Sequence, residues 1–136
     1  MSTSMEFWEK KIIMSVDITS DMVHEFIQLT GDDAPHHISM ESANALGYEN
    51  ILVQGLLVLS LTGRASSQYL IEINRGGVTY GYDQIRFIKP IYTETNLQIL
   101  YEPKNINQKN IVTSRISILN KLGEKVLVAD HLLKLL

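Results

Sequence analysis

Residues 55–61 read Gly55-Leu56-Leu57-Val58-Leu59-Ser60-Leu61, and this stretch decides the fold. Its apolar side chains fall on every side of a helix, so the pattern predicts a helix that is buried all round. Polar residues return only from Arg64 onward, and the helix is expected to extend to about Leu70. A helix enclosed in this way needs other elements that wrap around it.

Upstream of this helix, the sequence predicts one strand and two shorter helices. The strand covers residues 11–18 and is rich in Ile, Met and Val. The next helix begins at Ser20 and Asp21, which offer an N-cap, and stops at Gly31. A second, short helix is expected over residues 40–46.

Downstream, the sequence predicts strands to the end of the chain. A turn at residues 74–77 precedes a strand that starts at Val78, and a change of apolar parity near Asp83 and Gln84 indicates a bulge. Three more strands are expected over residues 97–101, 111–119 and 125–136, and residues 120–123 form a hairpin turn. The predicted class is α+β, with a five-stranded antiparallel sheet around a central apolar helix in a single domain, residues 1–136.

Composition and charge exclude several classes of protein. The chain has 136 residues, 45% of them hydrophobic and 20% charged, as is typical of a globular protein. A net charge of -3 provides no basic excess for nucleic acid, and the longest apolar run, residues 51–61, is too short to cross a membrane. With no cysteine and no apolar stretch at the N-terminus, we expect a cytoplasmic protein.

The candidate catalytic residues lie in the loop after the first helix. Asp32 and His37 are five residues apart, which an extended chain would separate by roughly 16 Å. Gly31 and Pro35 build turns that would bring both side chains onto one water molecule. A carboxylate beside a neutral imidazole can take a proton from that water and return it elsewhere. By spacing alone, an ordinary loop aspartate and a satisfied loop histidine are the more common explanation of the pattern.

The first turn of the apolar helix is the second candidate feature. The backbone N–H groups of a first helical turn are unpaired, and at Gly55 they could polarise a thioester carbonyl and stabilise an enolate. Glycine also lets a substrate approach the backbone closely. Gln54 either donates a hydrogen bond into the site or caps the helix. We expect Gln54, Leu56, Leu59 and Thr62 to bind the substrate. The two leucines are also expected to pack in the core.

Residues 26–61 resemble the MaoC-like (R)-specific enoyl-thioester hydratase family of hot-dog proteins. The family pattern Gly-Asp-x-Asn-Pro-x-His matches Gly31-Asp32-Asp33-Ala34-Pro35-His36-His37, with Asp32 and His37 in the catalytic places. Leu52-Val53-Gln54-Gly55-Leu56 matches the later Ile-Val-His-Gly element. Residues 81–91 are similar to the strand that leads to the family's Arg-Phe-x-x-Pro-Val signature.

The resemblance implies both an activity and an assembly. Members of the family reversibly hydrate enoyl thioesters of coenzyme A or an acyl carrier protein, and no metal or redox cofactor is used. They form homodimers with the active site at or near the subunit interface. The chain departs from the pattern at five places: Ile51 replaces a proline, Ala34 the loop Asn, Ser39-Met40 an Asp-Pro, Gln54 the His, and Gly63 a Ser or Thr.

Two rival functions stay open beside the hydratase. Many hot-dog thioesterases carry a carboxylate on the central helix, and residues 55–70 contain no Asp or Glu. A non-catalytic subunit that binds acyl groups or stabilises a partner is the other alternative. A metal site built from Asp32, Asp33, His36 and His37 is disfavoured because the spacing of these residues matches no metal-ligand pattern.

Overall fold

The computed structural model describes residues 4–136, so the first three residues of the predicted domain lie outside it. The elements are β1 (Ile12–Ile18), α1 (Ser20–Thr30), a single 3₁₀ turn (Pro35–His37), α2 (Met40–Ala45), α3 (Gly55–Leu61), α4 (Gly63–Ile73), β2 (Gly77–Phe87), β3 (Thr95–Ile106), β4 (Ile111–Leu119) and β5 (Lys125–Leu135). Their order confirms the predicted sequence of a strand, helices, an apolar helix and four further strands.

The five strands form one antiparallel sheet in the order β1-β3-β4-β5-β2. β2 returns from the central helix and pairs with the last strand of the chain, which places it at one edge. The predicted bulge is present, because the β2–β5 register shifts between Asp83 and Arg86, and Gln84 has a positive φ of 55°. The fold class is therefore the predicted one.

The central helix is longer than predicted and consists of two segments. Thr62 lies between α3 and α4 and keeps near-helical angles (φ -66°, ψ -15°), so the helix extends from Gly55 to Ile73. The Ser60 hydroxyl donates to the carbonyl of Leu57, and the Thr62 hydroxyl donates to that of Leu59, each at 2.6 Å. Such bonds compete with the helical ladder and explain its irregularity at this point.

The prediction that α3 is buried all round is wrong for one side of the helix. Leu57, Val58 and Leu59 are buried in the core. Leu56, in contrast, is 59% exposed in the single chain, and Ser60 is exposed as well. The sheet therefore covers α3 incompletely and leaves an apolar side chain on the surface at the start of the helix.

The boundaries of two other elements also differ from prediction. Thr19, and not Ser20 or Asp21, caps α1, since its hydroxyl accepts a hydrogen bond from the N–H of Met22 at 3.2 Å. β3 extends five residues past the predicted end at Tyr101, through Pro103. Pro103 is tolerated because β1 has already ended opposite Tyr101 and the β3–β4 register shifts just after the proline.

None of the helices in the described residues is long and apolar enough to cross a membrane.

Candidate active site

The loop that carries Asp32 begins where glycine ends α1. Gly31 adopts a left-handed conformation (φ 76°), and its N–H donates to the carbonyl of Ile27 at 2.8 Å. The N–H of Asp32 then donates to the hydroxyl of Thr30 at 3.1 Å. These local bonds turn the chain away from the helix axis and leave the Asp32 side chain half-buried.

His37 is buried and its tautomer is fixed by one backbone contact. Its ring nitrogen Nδ1 lies 2.7 Å from the carbonyl oxygen of Leu52, and its side chain is 9% exposed. A carbonyl oxygen only accepts, so Nδ1 carries the hydrogen of the neutral ring. Nε2 then has a free lone pair, and the ring is oriented to accept a proton at that atom.

Two further hydrogen bonds join the loop to the segment that precedes α3. The N–H of Leu52 donates to the carbonyl of His36 at 3.0 Å, and the side-chain amide of Gln54 donates to the carbonyl of Asp32 at 3.4 Å. Together with the His37–Leu52 bond, they hold residues 32–37 beside residues 52–55. The structure thus brings Asp32, His37, Gln54 and Gly55 into one region.

The start of α3 presents unpaired backbone donors. The N–H groups of Leu57 and Val58 already bond to the carbonyl of Gln54, at 3.1 and 3.3 Å. Within residues 4–136, the N–H groups of Gly55 and Leu56 have no such acceptor. These two groups can therefore donate to an oxygen that approaches the first turn.

Gly55 also makes a close contact that the sequence analysis missed. A Cβ placed on Gly55 would lie 2.6 Å from an edge carbon of the Phe87 ring, which belongs to the end of β2. The space beside this glycine is therefore occupied by an aromatic ring, and not left open on that side. Phe87 lies in the signature-like strand, but no local spacing links it to a residue 32 positions earlier in the chain.

The expected substrate-binding residues occupy different environments. Gln54 is 1% exposed and faces the Asp32 loop. Leu56 is exposed, whereas Leu59 lies in the core. Thr62 is buried, and its hydroxyl is already bonded to the helix backbone. Of these four residues, only Leu56 has an exposed side chain in the single chain.

His37 also borders a cavity of about 200 Å³. Ser20, His24 and Thr93 line it together with apolar side chains, and Asp32 is not among its lining residues. A larger groove of about 350 Å³ lies between α1 and the central helix, beside Phe26. No group of three or more His, Asp or Glu side chains in the described part of the chain stands close enough together to hold a metal ion.

A second buried histidine lies away from this region, on β5. His131 is fully buried, with Nδ1 2.7 Å from the hydroxyl of Tyr101 and Nε2 3.0 Å from that of Thr79. The ring also stacks at a tilt on Tyr82, with 4.8 Å between centroids. Burial lowers the pKa of His131 to about 4, so the ring is neutral. Both nitrogens are occupied, which leaves this histidine no free atom for chemistry.

Comparison with known proteins identifies the family to which the chain is similar. A family model described as a MaoC like domain matches residues 9–121. A UPF0336 protein of Streptomyces griseus is 22% identical over 120 residues, which cover 83% of this chain and 80% of the relative.

Solved structures agree with this match at the level of the fold. An (R)-hydratase from A. caviae involved in PHA biosynthesis aligns with a TM-score of 0.85 and 23% identity, over 99% of this chain and 100% of that one. The HadBC (3R-hydroxyacyl-ACP dehydratase) complex from Mycobacterium tuberculosis aligns with a TM-score of 0.79 and 21% identity, over 91% and 95% of the two chains.

Proposed function

Because the chain belongs to the MaoC-like domain family, we propose that it is a hydro-lyase that hydrates trans-2-enoyl thioesters and dehydrates (R)-3-hydroxyacyl thioesters. One observation carries this proposal. The bond from Nδ1 of His37 to the carbonyl of Leu52 leaves Nε2 free as a base, on a loop that is tied to the start of α3. A base for water and a donor for the carbonyl are the two groups that this reaction needs.

In the proposed mechanism, Asp32 and His37 hold the water that reacts. Nε2 of His37 accepts a proton as the water oxygen bonds to C3 of the enoyl group. The electron pair of the double bond moves onto the thioester oxygen, which the N–H of Gly55 stabilises. The enolate then collapses, and C2 takes the proton back from the Asp32–His37 pair on the same face. The substrate neither gains nor loses electrons, and residues of the chain supply both the base and the oxyanion donor, so we propose that no metal or redox cofactor is required.

We further propose that the chain acts as a homodimer. β2 is an edge strand, and its residues Val78 and Tyr80 have exposed side chains. Phe87, at the end of the same strand, and Leu56, next to Gly55, are exposed apolar residues beside the candidate site. An unpaired strand with apolar side chains is a template for pairing with a second copy. Such pairing would place the site close to the interface.

The substrate is proposed to be an acyl thioester of coenzyme A or of an acyl carrier protein, handled in the cytoplasm. The thioester is required because its carbonyl oxygen must carry the developing negative charge. The exposed leucine and phenylalanine beside Gly55 provide apolar surface for an acyl chain. The absence of cysteine suits a reducing compartment.

The test is a spectrophotometric assay with crotonyl-coenzyme A and longer trans-2-enoyl thioesters. We expect the enoyl-thioester absorbance to fall as the (R)-3-hydroxy product forms, without release of free thiol. Asp32→Asn and His37→Ala should each lower kcat on the order of 100-fold or more while the fold is kept. Asp33→Asn, the same change at the neighbouring exposed aspartate, is the matched control for Asp32→Asn and should retain activity.

Three outcomes would contradict the proposal. Release of free thiol would indicate a thioesterase. Lack of turnover with coenzyme A and carrier-protein thioesters alike would indicate a non-catalytic acyl-binding or partner subunit. Turnover that survives both Asp32→Asn and His37→Ala would show that the reaction uses other residues.

A further inference from the structure

Gln54 is a buried polar residue that connects the two parts of the candidate site. Its backbone carbonyl begins α3 by accepting bonds from the N–H groups of Leu57 and Val58. Its side chain reaches in the other direction and donates to the backbone carbonyl of Asp32 at 3.4 Å. One residue thus joins the loop that carries the acid–base pair to the helix start that carries the free N–H groups.

The chemistry of the contact fixes the orientation of the Gln54 amide. The carbonyl of Asp32 can only accept, so the NH₂ group and not the oxygen must face it. The oxygen Oε1 is then buried without a hydrogen-bond partner among the described residues. An unsatisfied buried acceptor lowers the stability of the folded chain. An apolar residue of the same length would remove that penalty.

The bond of the His37 ring to the carbonyl of Leu52 holds the far end of the loop, but few other side chains constrain the loop at Asp32 itself. Thr30 bonds the N–H of Asp32, but that contact is exposed to solvent. Ala34, in the middle of the loop, has no polar side chain that could bond within it. The bond from Gln54 is better shielded than the Thr30 contact, because the Gln54 side chain is almost completely buried.

We infer that Gln54 is a positioning residue, which holds the backbone of Asp32 at a fixed place relative to the first turn of α3. This inference rests on the proposed hydratase activity. Gln54 acts through Asp32 and does not itself bind the substrate, in contrast to the role expected from the sequence. Position 54 retains a polar side chain at a cost in stability because the reaction needs Asp32 and His37 at a fixed position relative to the free N–H groups of α3.

The experiment compares three variants with the wild-type chain. Gln54→Met keeps the length of the side chain and removes the donor. Gln54→His keeps an N–H donor. Gln98→Met, at an exposed glutamine on β3, is the matched control for the substitution itself. For each, kcat, KM, the melting temperature and amide hydrogen exchange over residues 31–37 are measured.

We expect Gln54→Met to lower kcat on the order of 10- to 100-fold, since a small misplacement of reacting groups has an effect of that size. KM should change by less than about threefold, because ground-state binding is not affected. Exchange over residues 31–37 should become faster, while the melting temperature stays equal or rises. Gln54→His should retain most of kcat, and its amide exchange over residues 31–37 should stay slow. Gln98→Met should resemble the wild type in all four measurements.

Two results would overturn the inference. The first is a Gln54→Met variant with wild-type kcat and unchanged exchange over residues 31–37. The second is a lower melting temperature with unchanged exchange in both Gln54 variants, which would make Gln54 a purely structural residue. If the wild-type chain lacks hydratase activity, the proposed function fails, yet the exchange measurement still decides whether Gln54 holds the loop.

Discussion

Two buried histidines show how hydrogen bonding separates a chemical role from a structural one. His37 donates from Nδ1 to a backbone carbonyl and keeps Nε2 free. In His131, both nitrogens are bonded to hydroxyl groups, those of Tyr101 and Thr79. The difference lies in the neighbours and not in the residue type, because each ring is buried in the same chain.

The buried His131 makes stability depend on pH. The folded chain takes up a proton at His131 only near pH 4, whereas an unperturbed histidine does so near 6.5. Between these values the unfolded chain binds more protons than the folded one. The contribution of neutral His131 is therefore fully present above pH 6.5 and is lost as the pH falls toward about 4.

We expect this histidine to account for a loss of about 2 kcal/mol in the free energy of unfolding between pH 7 and pH 4.5. His131→Gln removes the titration but keeps hydrogen-bonding groups, so its loss over the same range should be smaller by about that amount. Urea unfolding at the two pH values measures this loss for each chain. His24→Gln, at an exposed histidine, should behave like the wild type. If the free energy of unfolding of His131→Gln falls as much as that of the wild type between the two pH values, His131 is not the cause of the pH dependence.

At the scale of elements, the start of α3 depends on the end of β2. Phe87 occupies the space where any other residue at position 55 would place its Cβ. The helix start, with its free N–H groups, is therefore packed against the strand that lies at the sheet edge. This contact explains the glycine through packing, in addition to the close approach of substrate that the sequence suggested.

Gly55→Ala should consequently destabilise the protein by about 1–3 kcal/mol through overpacking against the ring. Phe87→Ala creates room for the new methyl group, so the double variant should recover part of the loss. A double-mutant cycle by urea unfolding should give a favourable coupling of at least about 1 kcal/mol.

Gly63→Ala is the control for the Gly55 substitution. A Cβ on Gly63 meets nothing within 4 Å, so this change should be neutral or stabilising. Strictly additive effects of Gly55→Ala and Phe87→Ala would show that the ring is not the reason for the glycine.

At the scale of the whole molecule, the two edge strands of the sheet differ in their neighbours. β1 and β2 are both edge strands, and β2 contacts the candidate site through Phe87, which packs against Gly55. Tyr80 on β2 is 68% exposed, and Ile13 on β1 is 56% exposed. The proposed dimer uses the β2 edge, because the exposed Leu56 and Phe87 extend the apolar surface from that strand to the helix start.

Tyr80→Lys should therefore convert a dimer into a monomer, since charge on a strand edge opposes pairing. The oligomeric state is measured by light scattering after gel filtration, and hydratase activity should decrease with dimer content. Ile13→Lys places the same charge on the other edge and should leave the dimer intact. A wild-type chain that is monomeric at micromolar concentration would disprove the proposed assembly.

The sequence by itself determined the order of the elements, the fold class and the family. The apolar run of α3 requires enclosure, and the alternating segments after it supply a sheet, so the local periodicities agree with one architecture. The sequence also predicts the bulge near Asp83 and the end of α1 at Gly31, because each depends on a local change of pattern.

The tertiary structure alone decided how the candidate residues are held. The bonds of His37 to Leu52 and of Gln54 to Asp32 join residues 15 and 22 positions apart. Phe87 reaches Gly55 from a different strand, and Leu56 stays exposed because the sheet of one chain does not close over it. These features could not be predicted, because local spacing carries no information about which side chains meet once the sheet curls around the helix.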